Sequence, residues 1–336
     1  MSSWPLTIGL LLIGISQLAV QYRLNYWNRD FFNALASRDG TGLLTQAVIF
    51  VPLAGLSVGL SVASVWGRMT TQRKWRQWLT THILETWLSE EHYRRLESVP
   101  GEYQNAEYRI SVDAHTATDA PVDLALGFVT SALTAFLFIA VLWNVGGSFT
   151  VAFGRIEIMV PGYLVVGVGI YALVFTSAMI AIGRRLPAVI QLENQAEAEL
   201  LAAANQIREA GKRTRAADGE IEKHRLAWDA LGQVLVRWRQ LCWQLMGTTL
   251  VSQTDVLFAP VVAWVLCAPK YLNGAMTLGE LTQASAAFVT VQVAFNWLVD
   301  NYQRLSDWRS AVNRVAALLL ALDEVLLVER EGRGSS

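Results

Sequence analysis

Six stretches of this chain are apolar over at least the roughly 17 residues that a helix needs to cross the hydrocarbon core of a bilayer. They lie near 6–22, 43–66, 122–143, 159–182, 241–268 and 278–299. Hydrocarbon offers no partner to a backbone N–H or C=O, so a spanning stretch has to bond its own backbone as a helix. The pattern therefore predicts an all-α, polytopic membrane protein. Composition agrees with it. Hydrophobic residues make up 53% of the chain and charged residues 16%, where a soluble domain carries roughly 25% charged. The 13 tryptophans are many. Trp4, Trp27, Trp66 and Trp143 fall near span ends, where an amphipathic ring reaches both water and lipid. The run MSSWPLTIGLLLIGISQLAVQY has neither a positive leader nor a small-residue cleavage site, and reads as a first span.

The remaining chemistry is sparse. A formal net charge of -1 with no Lys/Arg run gives no surface for nucleic acid. Cys242 and Cys267 sit in apolar stretches and read as packing thiols. His82, His92, His115 and His224 are scattered, so no metal site is expected. No HExxH or nucleophile–base constellation points to an enzyme within the membrane.

The segments between the spans are uneven. Three are short, at 23–42, 144–158 and 269–277, and two are long, at 67–121 and 183–240. Both long ones carry helical signals. Trp75, Trp78, Ile83, Trp87 and Leu88 recur at helical spacing, and LPAVIQLENQAEAELLAAANQIREA is built of strong helix formers. The long segments hold seven and ten Lys/Arg and the stretch after Asp300 five, against three, one and one in the short ones. Lys/Arg-rich loops stay cytoplasmic. Alternation over six spans then puts both termini and both long extensions on the cytoplasmic side. Each extension must reverse, the first near SVPGEYQNAEYRIS and the second near REAGKRTRAADGEIEK, where Gly and Pro break helices. Two such elbows form either a docking surface for a cytoplasmic partner or plain solvated hairpins.

Several segments carry a family resemblance. They are LNYWNRDFFNALASRD at 24–39, NAEYRISVD at 105–113, VPGYLVVGVGIYA with IGRRL at 160–186, QAEAEL and IREAGKR at 195–213 with Gly219 and Glu220, and YLNGAMTLGELTQASAAF at 271–288. Together the chain resembles the membrane domain shared by the SbmA/BacA peptide-uptake transporters and the related peroxisomal-like ABC transporters. That resemblance implies a type I exporter-like fold working as a homodimer in the bacterial inner membrane, on peptides or bulky amphipathic solutes. It makes Asn105, Arg109 and Asp113, and Gly211, Gly219 and Glu220, the coupling elements that meet a nucleotide-binding ATPase. The chain departs from the pattern in places. Glu107–Tyr108 stands where Asp-Gln is usual, and Glu280 where an apolar residue is. No GxxxxGK[ST] phosphate loop occurs, since Gly211–Lys212 is followed by Arg213. The expected organisation is one transporter domain at 1–328 and a short polar tail at 329–336. ATP is then bound by a separate or missing domain, unless a proton gradient drives transport as in the SbmA/BacA members. A scaffold that has lost its ATPase is the other reading.

Ionisable groups at membrane depth are costly and mark candidate pathways. Asp255 lies in the fifth span and is either a proton-carrying carboxylate or a structural one. Glu280 opens the sixth span, as a pathway group or as an acid favoured by the helix N-terminus. Asp300 closes it. Glu193 and Glu197, four apart on one helical face, line a proton path by resemblance or form a solvated face.

Overall fold

The computed structural model describes residues 4–89, 106–153, 156–213 and 220–334. Its elements are nearly all helical: α1 Trp4–Ala36, α2 Gly40–Leu88, α3 Ala106–Tyr108, a π-helical turn Arg109–Asp113, α4 Ala114–Gly146, β1 Ser148–Phe153, β2 Ile156–Pro161, α5 Tyr163–Gly183, α6 Leu186–Arg213, α7 Glu220–Leu272, α8 Leu278–Asp300 and α9 Tyr302–Gly334. Five of these helical stretches are long and apolar enough to cross a membrane. The sixth candidate, α8, has 23 residues and is more polar. Gln283, Ser285 and Gln292 of α8 are nonetheless buried, as expected of a helix inside a bundle.

The chain divides into two compact units. The first comprises residues 1–168 and 263–336. In it α1 packs on α2 and α8, α4 packs on α8, and α9 lies along α4. The turn between α1 and α2 is tight. α1 does not stop at residue 22 but runs on to Ala36, because Trp27 and Phe31 continue its packing face: the Trp27 ring lies 5.2 Å from Phe31 and 4.7 Å from Phe50 of α2. Only Ser37, Arg38 and Asp39 then separate α1 from α2. Asp39 caps α2, its side chain accepting from the Thr41 backbone N–H.

The segment after α4 is an antiparallel hairpin, β1 with β2, where the sequence suggested only a short connection. β-branched and aromatic residues are frequent in SFTVAF and IEIMVP, which suits strands. Gly147 and Gly162 close its base at φ 58° and 61°, and the Gly162 N–H donates to the Gly147 carbonyl at 2.8 Å. Any Cβ on Gly162 would come within 2.3 Å of the Trp143 ring.

The second unit is Gly169–Val262. Tyr171 stacks obliquely on Phe175 at 4.5 Å, and the Gln244 side chain donates to the Ile182 carbonyl. Ala196, Ala203 and Val234 are buried there, while Trp228, Trp238 and Trp243 stand exposed. Apart from the turn at Arg184 and Arg185, both long segments after the second and fourth spans are thus helical wherever they are described. Residues 329–334 of the expected polar tail belong to α9.

Candidate functional site

The polar residues the structure gathers most densely lie where α2, the π-turn, α4 and α9 meet. An apolar base comes first. Ile83 of α2, Ile110 of the π-turn, Ala114 of α4, and Val315, Leu318 and Leu322 of α9 form one buried cluster. Burying a side chain of this size contributes about 1.5–3 kcal/mol, so the cluster fixes α9 against the turn before any charge is considered.

A π-turn carries one residue more than an α-turn and often marks functional positions. Here it presents Arg109 and Asp113 toward α9. Asp113, only 2% exposed, takes both prongs of the Arg314 guanidinium, Nε at 2.8 Å and a terminal nitrogen at 2.7 Å. Arg109 donates to the main-chain carbonyl of the same Arg314 at 3.2 Å. Bidentate carboxylate–guanidinium pairs are geometrically specific and stronger than neutral bonds. The Asp113 carboxylate accordingly raises the Arg314 pKa above its ordinary value.

Ten residues farther along α4, and ten back along α9, a second carboxylate repeats the arrangement. Asp123 receives Arg304 at 2.8 Å, Arg68 of α2 at 3.3 Å and the Gln72 amide at 2.9 Å. Between the two rungs stands Pro121. Proline has no N–H, so the carbonyl four residues back loses its helical partner. That carbonyl belongs to Ala117, and the Trp308 indole N–H of α9 occupies it at 3.3 Å.

Arg109 and Asp113, expected as coupling residues, are therefore brought together with Arg314. Asn105 and Gly219 lie outside the described residues. Gly211 falls near the end of α6 and Glu220 begins α7. The pathway candidates lie on other elements. Asp255 is buried in the second unit, where the Tyr171 hydroxyl donates to its main-chain carbonyl at 3.0 Å. Glu193 and Glu197 sit on α6 in that unit, Glu193 partly buried and Glu197 exposed. Glu280 completes a capping box with Thr277, accepting from its N–H at 2.8 Å, which is the helix-start role weighed for it. Asp300 is exposed at the end of α8. Sequence reading missed Arg314, Arg304, Arg68 and Trp308. Only the antiparallel register of α4 and α9 would have revealed Arg314, Arg304 and Trp308, through the matching ten-residue spacing of Asp113 with Asp123 and Arg304 with Arg314, and Arg68 needed the packing of α2 on α4 as well.

The fold defines a multi-pass helical membrane protein of the kind that transporters use. Residues 2–272 match the family described as ABC transporter transmembrane region 2, and the chain belongs to that family. It is 25% identical to the inner membrane ABC transporter ATP-binding protein YddA of Escherichia coli over 92% of this chain and 56% of that protein. It is 27% identical to an uncharacterized ABC transporter ATP-binding protein of Synechocystis over 89% of this chain and 43% of the relative. Similarity to the chloroplastic ABC transporter D family member 2 of Arabidopsis thaliana is 21%, over 90% of this chain and 40% of that protein. The chain thus spans about half the length of the curated relatives it matches, or less.

Proposed function

We propose that this chain forms the transmembrane half of an ATP-driven transporter in the bacterial inner membrane, with both termini cytoplasmic. It works as a homodimer by alternating access. The supporting observation is the family match over residues 2–272 together with relatives named ATP-binding, of which the matched stretch is about half. Their extra length leaves room for a nucleotide-binding domain, which for this chain is either fused or a separate subunit. The relatives' names weigh toward ATP over a proton gradient. Peptides and bulky amphipathic solutes are the substrate class on the strength of the SbmA/BacA resemblance.

The dimer has physical support. Trp78 of α2 is 70% exposed and Trp228 of α7 is 67% exposed, both on the extensions and outside the apolar spans. A cleft of about 950 Å³ opens beside Trp75, Trp78, His82 and Ala117. Large apolar rings left in water invite cover, and a second copy supplies it. The deciding experiment purifies the tagged chain from its own membranes in a mild detergent. An ABC-type ATPase travelling with it, fused or bound, and ATP-dependent uptake of a labelled proline-rich or acylated peptide into vesicles support the reading. A chain that recovers no ATPase and moves no solute with ATP supplied is the scaffold instead.

A further inference from the structure

We infer that Arg314 and Arg304 are positioning residues that lock α9 to the coupling turn as one rigid strut, so that a push on residues 106–113 is delivered to α8. The inference rests on the transporter reading above and assigns its coupling residues a mechanical partner.

Two ion-pair rungs support it. Asp113–Arg314 and Asp123–Arg304 are separated by ten residues on each helix, about 15 Å at 1.5 Å per residue. One ion pair beside the apolar cluster would set the angle of α9 at a single level only. Two rungs that far apart, with Trp308 on the Ala117 carbonyl between them, fix both its rotation and its register. The lower rung is held from two directions, since Asp113 grips the Arg314 side chain and Arg109 its main chain. The upper rung ties in α2 through Arg68 and Gln72, which gives the strut a fulcrum at the start of the span. A single residue, Asn301, joins α8 to α9, and the Asn301 N–H still bonds to the Trp297 carbonyl at 3.1 Å. A displacement of α9 therefore reaches α8 with little slack. Guanidinium fits this task better than ammonium, because its planar fork fixes an angle as well as a distance.

The test uses the full chain with its ATPase, in lipid nanodiscs for distances and in sealed proteoliposomes for uptake, with Cys242, which is exposed, replaced by serine. Spin labels go on the exposed positions Ser111 and Ala316, and pulsed EPR reads their separation. With the labelled chain diluted in unlabelled chain, so that only the separation within one copy is read, a single narrow distance is expected with and without nucleotide. Arg314→Glu should broaden it, cut uptake about tenfold or more and leave ATP hydrolysis within about twofold, the signature of lost coupling. The exchange Asp113→Arg with Arg314→Asp should restore both the narrow distance and uptake. Arg314→Lys, which retains charge and volume, should fold normally and give an intermediate width, and it decides the matter should Arg314→Glu not fold. A narrow distance in Arg314→Glu or in Arg314→Lys, or hydrolysis falling in step with uptake, overturns the strut. Absence of uptake by the unaltered chain, with the distances responding as expected, contradicts the transporter reading and leaves the strut standing.

Discussion

Trp308 of α9 donates its indole N–H to the Ala117 carbonyl at 3.3 Å, the very acceptor that Pro121 leaves without a helical partner. A proline inside α4 and a tryptophan on α9 are thus one device: the first opens a carbonyl, the second closes it. Trp308→Phe removes the donor and should lower stability by about 1 kcal/mol. In a Pro121→Ala background the residue at 121 has its own N–H for Ala117, and the same change should cost clearly less. Thermal aggregation of the four variants in one detergent measures the cycle. Equal costs in both backgrounds would remove the link between the two residues.

At the opposite end of the first unit, the turn into α8 is built on a close approach. The Gly279 N–H donates to Asn33 Oδ1 of α1 at 2.9 Å, and a Cβ there would stand 2.1 Å from the Arg29 carbonyl oxygen. Backbone cannot yield as a side-chain tip can. Gly279→Ala should cost about 1–3 kcal/mol through overpacking, and Asn33→Ala about 1 kcal/mol through the lost bond. The level of folded protein after heating, read by fluorescence-detected chromatography, should rank Asn33→Ala above Gly279→Ala.

Sequence made some of this legible and hid the rest, for physical reasons. Apolar stretches report spans because lipid is a uniform solvent, and the helical extensions announce themselves through Trp75, Trp78 and Ile83 at regular spacing. Arg109 and Asp113 were visible as a local block. Their partner Arg314 was not, since it stands 201 residues from Asp113 and its spacing means nothing until the α4–α9 register is known. The helical extension of α1 past the apolar run at 6–22 was not legible, because charge at Arg23 and Arg29 ends an apolar run without ending a helix. The hairpin at 148–161 was missed because six-residue strands are too short to stand out beside spans of 20.

The turn between α1 and α2 should respond to pH and to glycine. Arg38 adopts φ 56°, a left-handed conformation that costs a side-chain-bearing residue roughly 1–2 kcal/mol. Arg38→Gly should therefore stabilise the turn modestly. Asp39 beside it has its pKa lowered, first by the Gly42 backbone N–H and then by the Thr41 hydroxyl. A carboxylate with a lowered folded value stabilises above its unfolded pKa and loses that contribution as pH falls through the folded one. The cap should hold at neutral pH and fade below about pH 4. Asparagine caps equally well without titrating, so Asp39→Asn should blunt the loss of stability on acidification. An unchanged acid profile would show that the cap does not matter there.

Asp255 offers a test of energisation. It is 6% exposed, and Tyr171 fixes its main chain. In an ATP-driven transporter its charge need not cycle. Asp255→Asn preserves shape and should keep uptake within about twofold, with a protonophore having little effect on ATP-loaded vesicles. Collapse of uptake in both experiments would favour the proton-driven alternative.

Membrane sidedness tests the central claim most directly. Single cysteines placed at 90, 215 and 148 in the Cys242→Ser chain are exposed to a membrane-impermeant maleimide in sealed inside-out and right-side-out vesicles. Labelling of 90 and 215 from the cytoplasmic side only, and of 148 from the other side only, is the predicted result. Labelling of 90 and 215 from opposite sides would contradict the six-span arrangement and the coupling surface built upon it.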